Sequence, residues 1–305
     1  MKELREVRKA AIDLGTNTCL LLVCEQGKDL EVLTDQSEVV RLGEGIFEGK
    51  GLVPEAMERT VSCLKKYRDI VLSYDLDPSE VICVGTAQSR AAHNAVLFFD
   101  RIEKETGFKF ITLSGEEEAS TSFLGALLPF YDPSDCIVID IGGGSTEFQS
   151  KSDGKSLDLG SVRITEGFLK EDPVADQEFW SAQDEIDRQL SALSLLKKKW
   201  IHKKTWIAVA GTAVTLAQWW LGLSEFDPSK IENLVLRPSD LHRMVNELKW
   251  RTIEERKELV GIHPKRADVL LAGAIILWRS MVYFEVEKLH VSTRGLRYGL
   301  VQRTS

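Results

Sequence analysis

One short pattern occurs twice in this chain and leaves few folds open to it. Ala11-Ile12-Asp13-Leu14-Gly15-Thr16-Asn17-Thr18 returns in outline as Ile139-Asp140-Ile141-Gly142-Gly143-Gly144-Ser145-Thr146-Glu147. In each copy an apolar strand carries an Asp near its end and runs into a turn of glycine and hydroxyl residues. Such a turn lets backbone N–H groups converge, the hydroxyls add donors, and the Asp is a hard oxygen ligand for a metal. Both segments are suited to face a phosphate chain, and two of them facing each other would form a cleft for a polyanion.

The surroundings of the pattern are repeated too. The first copy opens three expected strands, Lys9 to Leu14, Leu20 to Gln26 and Glu31 to Arg41, with a turn at Gly27-Lys28-Asp29. The second opens Cys136 to Ile141, Glu147 to Lys151 and Ser156 to Val162, with a turn at Ser152-Asp153-Gly154. Between them, Pro54 starts a helical pattern to about Tyr74, Val81 to Val84 reads as a buried strand and Ala91 to Thr106 as a helix. Phe108 to Leu113 is a strand, Glu116 to Phe130 a helix, and Asp132-Pro133-Ser134 a linker. Beyond the second triplet, the strand Trp206 to Ala210 meets a third turn of small residues, Gly211-Thr212-Ala213. Helices follow from Pro238 to Phe284, then a strand Lys288 to Ser292 and the turn Thr293-Arg294-Gly295. The reading is an α/β protein of two domains, 1–130 and 131–305, with the last helix packing back on the first. Open α/β sheets bind ligands at turns on the carboxyl ends of their strands, which is where all three turns fall.

At 305 residues, 43% hydrophobic and 28% charged, the chain is long enough for two cores without staples. Cys19, Cys24, Cys63, Cys83 and Cys136 form no C-x-x-C pair, which predicts reduced thiols and a cytoplasmic setting. The charged stretch Met1 to Lys9 has no apolar core of signal-peptide type, so export is not expected. Ala267 to Phe284 contains Asp268 and Arg279 and reads as a buried helix, not a membrane span. A net charge of −8 argues against nucleic-acid binding by the whole surface, so a polyanionic ligand needs a local basic lining. The run Leu196 to Lys204 either supplies part of it or is a solvated helix end whose lysines suit the dipole. The five histidines show no paired metal spacing and receive no catalytic role, and Trp219-Trp220 reads as core or interface.

Further motifs complete a pattern: Arg41-Leu42-Gly43-Glu44-Gly45, Gly85-Thr86-Ala87-Gln88-Ser89-Arg90, Leu113-Ser114-Gly115-Glu116-Glu117-Glu118-Ala119, Gly160 to Glu166, Gly211-Thr212-Ala213, and Ser292 to Gly299. With the two phosphate-type turns, they make the chain resemble the exopolyphosphatase and guanosine pentaphosphate phosphatase family, within the superfamily of actin, sugar kinases and Hsp70 ATPases. The resemblance spans nearly the whole length and implies two ribonuclease-H-like domains with a cleft between them, in the short form that lacks the C-terminal helical extension of longer members. One departure is Arg297-Tyr298-Gly299, where the family commonly has Glu in the middle.

Removing a terminal phosphate needs an in-line water, a group to activate it, and cations or N–H donors for the phosphoryl oxygens. The triplet Glu116-Glu117-Glu118 supplies acids at a helix start, where acids also complement the dipole. The resemblance places the catalytic Glu at Glu118, with Glu117 next in line. Asp13, Asp140 and Glu147 are the candidate ligands for Mg²⁺, with Mn²⁺ as a substitute. Thr16, Asn17, Thr18, Gly142, Gly143, Gly144, Ser145 and Thr146 are candidate phosphate donors, and Arg90 a fork for a phosphate further along. Gly211 and Thr212 match the superfamily's adenosine-side turn, although small residues there also permit close packing. The implied reaction is Mg²⁺-dependent hydrolysis of inorganic polyphosphate from its end, with guanosine pentaphosphate as the alternative substrate. An acceptor-dependent phosphotransferase and a polyphosphate- or alarmone-binding sensor are the readings from other classes. No nucleic-acid or membrane partner is expected, and the family analogy allows a homodimer.

Overall fold

The protein is described by a computed structural model that covers residues 7–27, 30–49 and 51–303. Lys28 and Asp29 of the expected turn, and residues 1–6 of the charged N-terminal stretch, lie outside the described residues.

The chain opens with β1 (Val7–Leu14), β2 (Thr18–Gln26) and β3 (Leu30–Val39), an antiparallel triplet. Pro54 then sits in the first turn of α1 (Pro54–Ser73), where its missing N–H costs nothing. Next come β4 (Ile82–Gly85), α2 (Ala87–Ala91), α3 (Ala95–Thr106) and β5 (Phe110–Thr112). The sheet order is β3-β2-β1-β4-β5, with β4 and β5 parallel to β1. Alternation along β1 sends Ala10, Ile12 and Leu14 into the larger core on one face and Ala11 into a smaller one on the other. The expected helix from Ala91 to Thr106 is interrupted: Asn94 turns its side chain to the backbone of Leu52, donating to Leu52 O and accepting from Leu52 N, both at 2.9 Å.

A second sheet repeats the plan. After α4 (Gly115–Ala126) come β6 (Cys136–Ile141), β7 (Thr146–Ser150) and β8 (Gly154–Leu157), again an antiparallel triplet. Helices α5 (Ser161–Phe168), α6 (Asp176–Ser191) and α7 (Ser194–Trp200) precede β9 (Thr205–Val209), α8 (Ala210–Trp220), α9 (Pro228–Ile231) and β10 (Val235–Leu236). Then follow α10 (Pro238–Lys249), α11 (Ile253–Lys257), α12 (Leu270–Phe284) and β11 (Leu289–Val291). The order is β10-β11-β9-β6-β7-β8, with β9 and β11 parallel to β6. The expected third strand of this triplet ran to Val162, but it stops at Leu157 and Val162 lies in α5. Three of the five lysines of the basic run are engaged locally: Lys197 pairs with Glu285, Lys199 with Asp153, and Lys203 donates to Ser134 O.

The last helix, α13 (Leu296–Arg303), returns to the first sheet and covers its smaller face with Leu296, Tyr298, Leu300 and Val301. The described chain thus forms two compact units: everything up to Ser114 together with the segment from Leu296, and Gly115–Gly295. The division falls earlier than the expected boundary at 130, because α4 lays Phe123 and Ala126 on Cys136, Val138, Ile207 and Val209 of the second sheet. Glu118 therefore belongs to the second unit. No helix among the described residues is long and apolar enough to cross a membrane.

Candidate active site

Strand periodicity aims the acids of the second unit. Ile137, Ile139 and Ile141 of β6 enter the main core, so Cys136, Val138 and Asp140 face the other way, toward α4. Asp140 pairs across the hairpin with Glu147, whose neighbour Phe148 enters the main core, so Glu147 also faces α4. On β8, Ser156 lies opposite Glu147. From above, α4 turns Glu118 and Ser122, one helical turn apart, toward these strands.

The result is a buried acidic cluster. Glu118 is 7% exposed, Asp140 8% and Glu147 1%. Ser122 Oγ donates to Asp140 Oδ2 at 2.5 Å, and Ser156 Oγ donates to Glu147 Oε1 at 2.7 Å. Burial first, and then the charges of Glu118 and Asp140, hold the Glu147 carboxyl well above the usual carboxylate range. Glu147 Oε2 is buried and accepts no hydrogen bond of ordinary length, while the hydroxyls of Ser156 and Ser145 both act to lower the carboxyl's pKa against that trend. Glu116 and Glu117 are exposed whereas Glu118 is buried, so helical phase separates Glu118 from its two neighbours.

The glycine turn at Gly142 is clamped by the start of α5. Gly142 O accepts from Ser161 N at 3.0 Å, Gly143 O from Val162 N at 2.9 Å and Arg163 N at 3.1 Å, and Gly144 O from Arg163 Nε at 3.1 Å. In a trans peptide the C=O and the next N–H point in opposite directions, so the N–H groups of Gly143, Gly144 and Ser145 are aimed away from α5. Gly160 is required for the clamp: a Cβ there would overlap Gly143 O and Gly144 N. Thr146 takes a structural place instead of the expected phosphate contact by its hydroxyl, which donates to Leu159 O at 2.5 Å.

The first unit repeats this geometry. Gly15 N donates to Thr18 O at 2.8 Å as Gly142 N does to Ser145 O at 3.0 Å, and a Cβ on either glycine would sit 3.2 Å from that oxygen. Close approach, not a positive φ, explains these glycines. Asn17 O accepts from Val40 N and Arg41 N, and Thr16 O from Gly43 N, so the Arg41-to-Gly45 motif is the clamp of the first turn. Gln88 had no role assigned from sequence, yet it ties the turn to β4. Its Nε2 donates to Leu14 O at 2.5 Å, and its Oε1 accepts from Thr86 Oγ1 at 3.2 Å and Thr16 Oγ1 at 3.5 Å. Asn17 is buried, Thr18 half-buried, and Asp13 sits near the Arg297 guanidinium. Arg90 is exposed and donates to Leu113 O at 2.9 Å.

The third turn is closely packed. Gly211 lies under the Arg266 guanidinium, which a Cβ would strike, and Thr212 packs on Gly273 of α12. Tyr298, where a Glu was expected by resemblance, donates to Asp35 Oδ2 at 2.9 Å beside a two-pronged Arg297–Asp35 pair at 2.8 Å.

The Ppx/GppA phosphatase family profile matches residues 22–304. The chain belongs to that family. Exopolyphosphatase 2 of Mycobacterium tuberculosis is 31% identical over 88% of each chain. A bifunctional 3-dehydroquinate synthase/phosphatase of Fusobacterium nucleatum is 35% identical over 96% of this chain, which spans only 46% of that relative's length. The crystal structure of an exopolyphosphatase from Cytophaga hutchinsonii superposes with a TM-score of 0.88 at 27% identity, covering 98% of this chain and 97% of that one. This Ppx/GppA member accordingly shares the fold of that solved exopolyphosphatase and is a phosphatase-family hydrolase.

Among the described residues no group of three or more His, Cys, Asp or Glu forms a ready-made metal cage. The donor set nonetheless fits Mg²⁺: Asp140 and Glu147 face one another with a buried Glu147 oxygen unused, and Mg²⁺ is commonly held by one or two carboxylates, with water and substrate phosphate completing its shell.

Proposed function

We propose that the protein is an exopolyphosphatase that removes the terminal phosphate of inorganic polyphosphate. The observation that carries this reading is Glu118, buried beside Asp140 and Glu147 in the unit that also presents the N–H groups of the Gly142 turn. Glu118 accepts a proton from water as the water oxygen bonds to the terminal phosphorus. The bridging P–O bond breaks, and the shortened chain leaves with its electron pair. The N–H groups of Gly143, Gly144 and Ser145 bind the phosphoryl oxygens as charge moves onto them. Mg²⁺ held by Asp140 and Glu147 would neutralise phosphate charge at the same place.

The test is phosphate release from long polyphosphate and, separately, from guanosine pentaphosphate, each with Mg²⁺ and with a Glu118→Gln control. Loss of a general base costs about 10²–10⁴-fold in rate, so release from polyphosphate should fall by at least about a hundredfold in the control while its thermal unfolding stays that of the wild type. Release from guanosine pentaphosphate alone would move the substrate to the alarmone. Release from neither would end the hydrolase reading.

A further inference from the structure

We infer that Ser122 and Ser156 are positioning residues that preset Asp140 and Glu147 for a divalent cation, which rests on the reading of that acid pair given above. Each serine hydroxyl has one proton, and each gives it to one carboxylate oxygen: Ser122 to Asp140 Oδ2 at 2.5 Å, Ser156 to Glu147 Oε1 at 2.7 Å. The two donors come from different elements, α4 above and β8 beside, and so fix both carboxylates from outside the β6–β7 hairpin that carries them. A carboxylate pinned through one oxygen presents the other in a defined direction. For Glu147 that other oxygen, Oε2, is buried and accepts no hydrogen bond of ordinary length, although the Ser145 hydroxyl lies near enough to the carboxyl to favour its charged form.

Hydrogen bonds from outside a metal's ligand shell act in this way. They select the rotamer of a ligating side chain and raise its affinity without touching the ion. Ser122 has a second effect, because it is 0% exposed and lies one turn after Glu118 on the same helix. Its bond to Asp140 ties the helix that carries the water-activating group to the strand that carries the cation ligand. A hydroxyl at either position is therefore part of the chemistry of the site, although neither serine touches substrate.

The experiment measures Mn²⁺ binding by electron paramagnetic resonance in the full chain without substrate, for wild type, Ser122→Ala, Ser156→Ala and Ser156→Thr. Thermal unfolding is followed in parallel. Each alanine variant should bind Mn²⁺ at least about tenfold more weakly, and Ser156→Thr, which keeps the hydroxyl on a strand, should bind as the wild type does. Alanine variants that fold and bind Mn²⁺ with wild-type affinity overturn the inference. If Ser122→Ala does not fold, the Ser156 pair decides it alone. A wild-type protein that binds no Mn²⁺ overturns the metal reading of Asp140 and Glu147 and the inference with it, a result distinct from failure of the serines alone.

Discussion

Gly160 and Gly167 stand at the start and near the end of one helix, and they should respond oppositely to the same methyl group. An alanine at 160 drives its Cβ into the Gly143 carbonyl, while one at 167 meets nothing within 4 Å. Gly160→Ala should cost about 1–3 kcal/mol by overpacking and depress phosphate release with it. Gly167→Ala, inside α5, should stabilise by about 0.5–1 kcal/mol in thermal or urea unfolding and leave release unchanged. Thiols give a second residue-level prediction. Burial, the largest cause in each, pushes the thiols of Cys24 and Cys136 up to about 11, against an ordinary 9.0. The unfolded thiol ionises first as pH rises, so the stability they contribute is complete below pH 9 and lost between 9.0 and about 11. Cys24→Ala should show a shallower fall in melting temperature over that window than the wild type. Asp140 and Glu147 were named from the hard-oxygen chemistry around the glycine turn and Glu118 from the family resemblance, and the structure buries the three together. Ser122 and Gln88 were not legible: a serine inside a helix and a glutamine after a strand carry no signal until the groups they bond to are seen.

Elements were most legible where one constraint governed them. β6 was expected at Cys136 to Ile141 and is found there, since an unbroken apolar run before glycines leaves little choice; α1 begins at Pro54 as its ring geometry demands. Elements set by distant bonds were misread. The break before α3 depends on Asn94 reaching Leu52, and the short β8 depends on Gly160 docking against Gly143, neither of which local sequence encodes. Helix α13 is attached to β3 by such a distant bond, Arg297 to Asp35, with side chains only 10% and 19% exposed. Burial alone would lower the Arg297 pKa, but Asp35 and then Tyr298 and Asp13 raise it overall, so the guanidinium is held charged. Asp35→Ala should cost about 3–5 kcal/mol in urea unfolding by leaving that charge without its partner. Tyr298→Phe removes one hydrogen bond and should cost about 1 kcal/mol.

At the scale of the molecule, the repeated pattern points to two domains divided at 130, whereas the compact units divide at Ser114 and Gly115, a place that no composition change marks. Helix α4 belongs to the sheet that follows it, and that assignment rests on Phe123 and Ala126 finding their contacts there. The second unit is one continuous segment, whereas the first is made of two. A chain ending at Gly295 should therefore keep hydrogen-exchange protection in β6, β7 and β9 and lose it in β1, β2 and β4, whose smaller face would be bare. Four apolar or aromatic side chains leave that face, each contributing about 1.5–3 kcal/mol when fully buried. The interleaving also sets a timetable on the ribosome. The second sheet can close on its own uninterrupted segment, but the first, though synthesised earlier, waits with one face uncovered for helix α13, which is made only after the whole second unit.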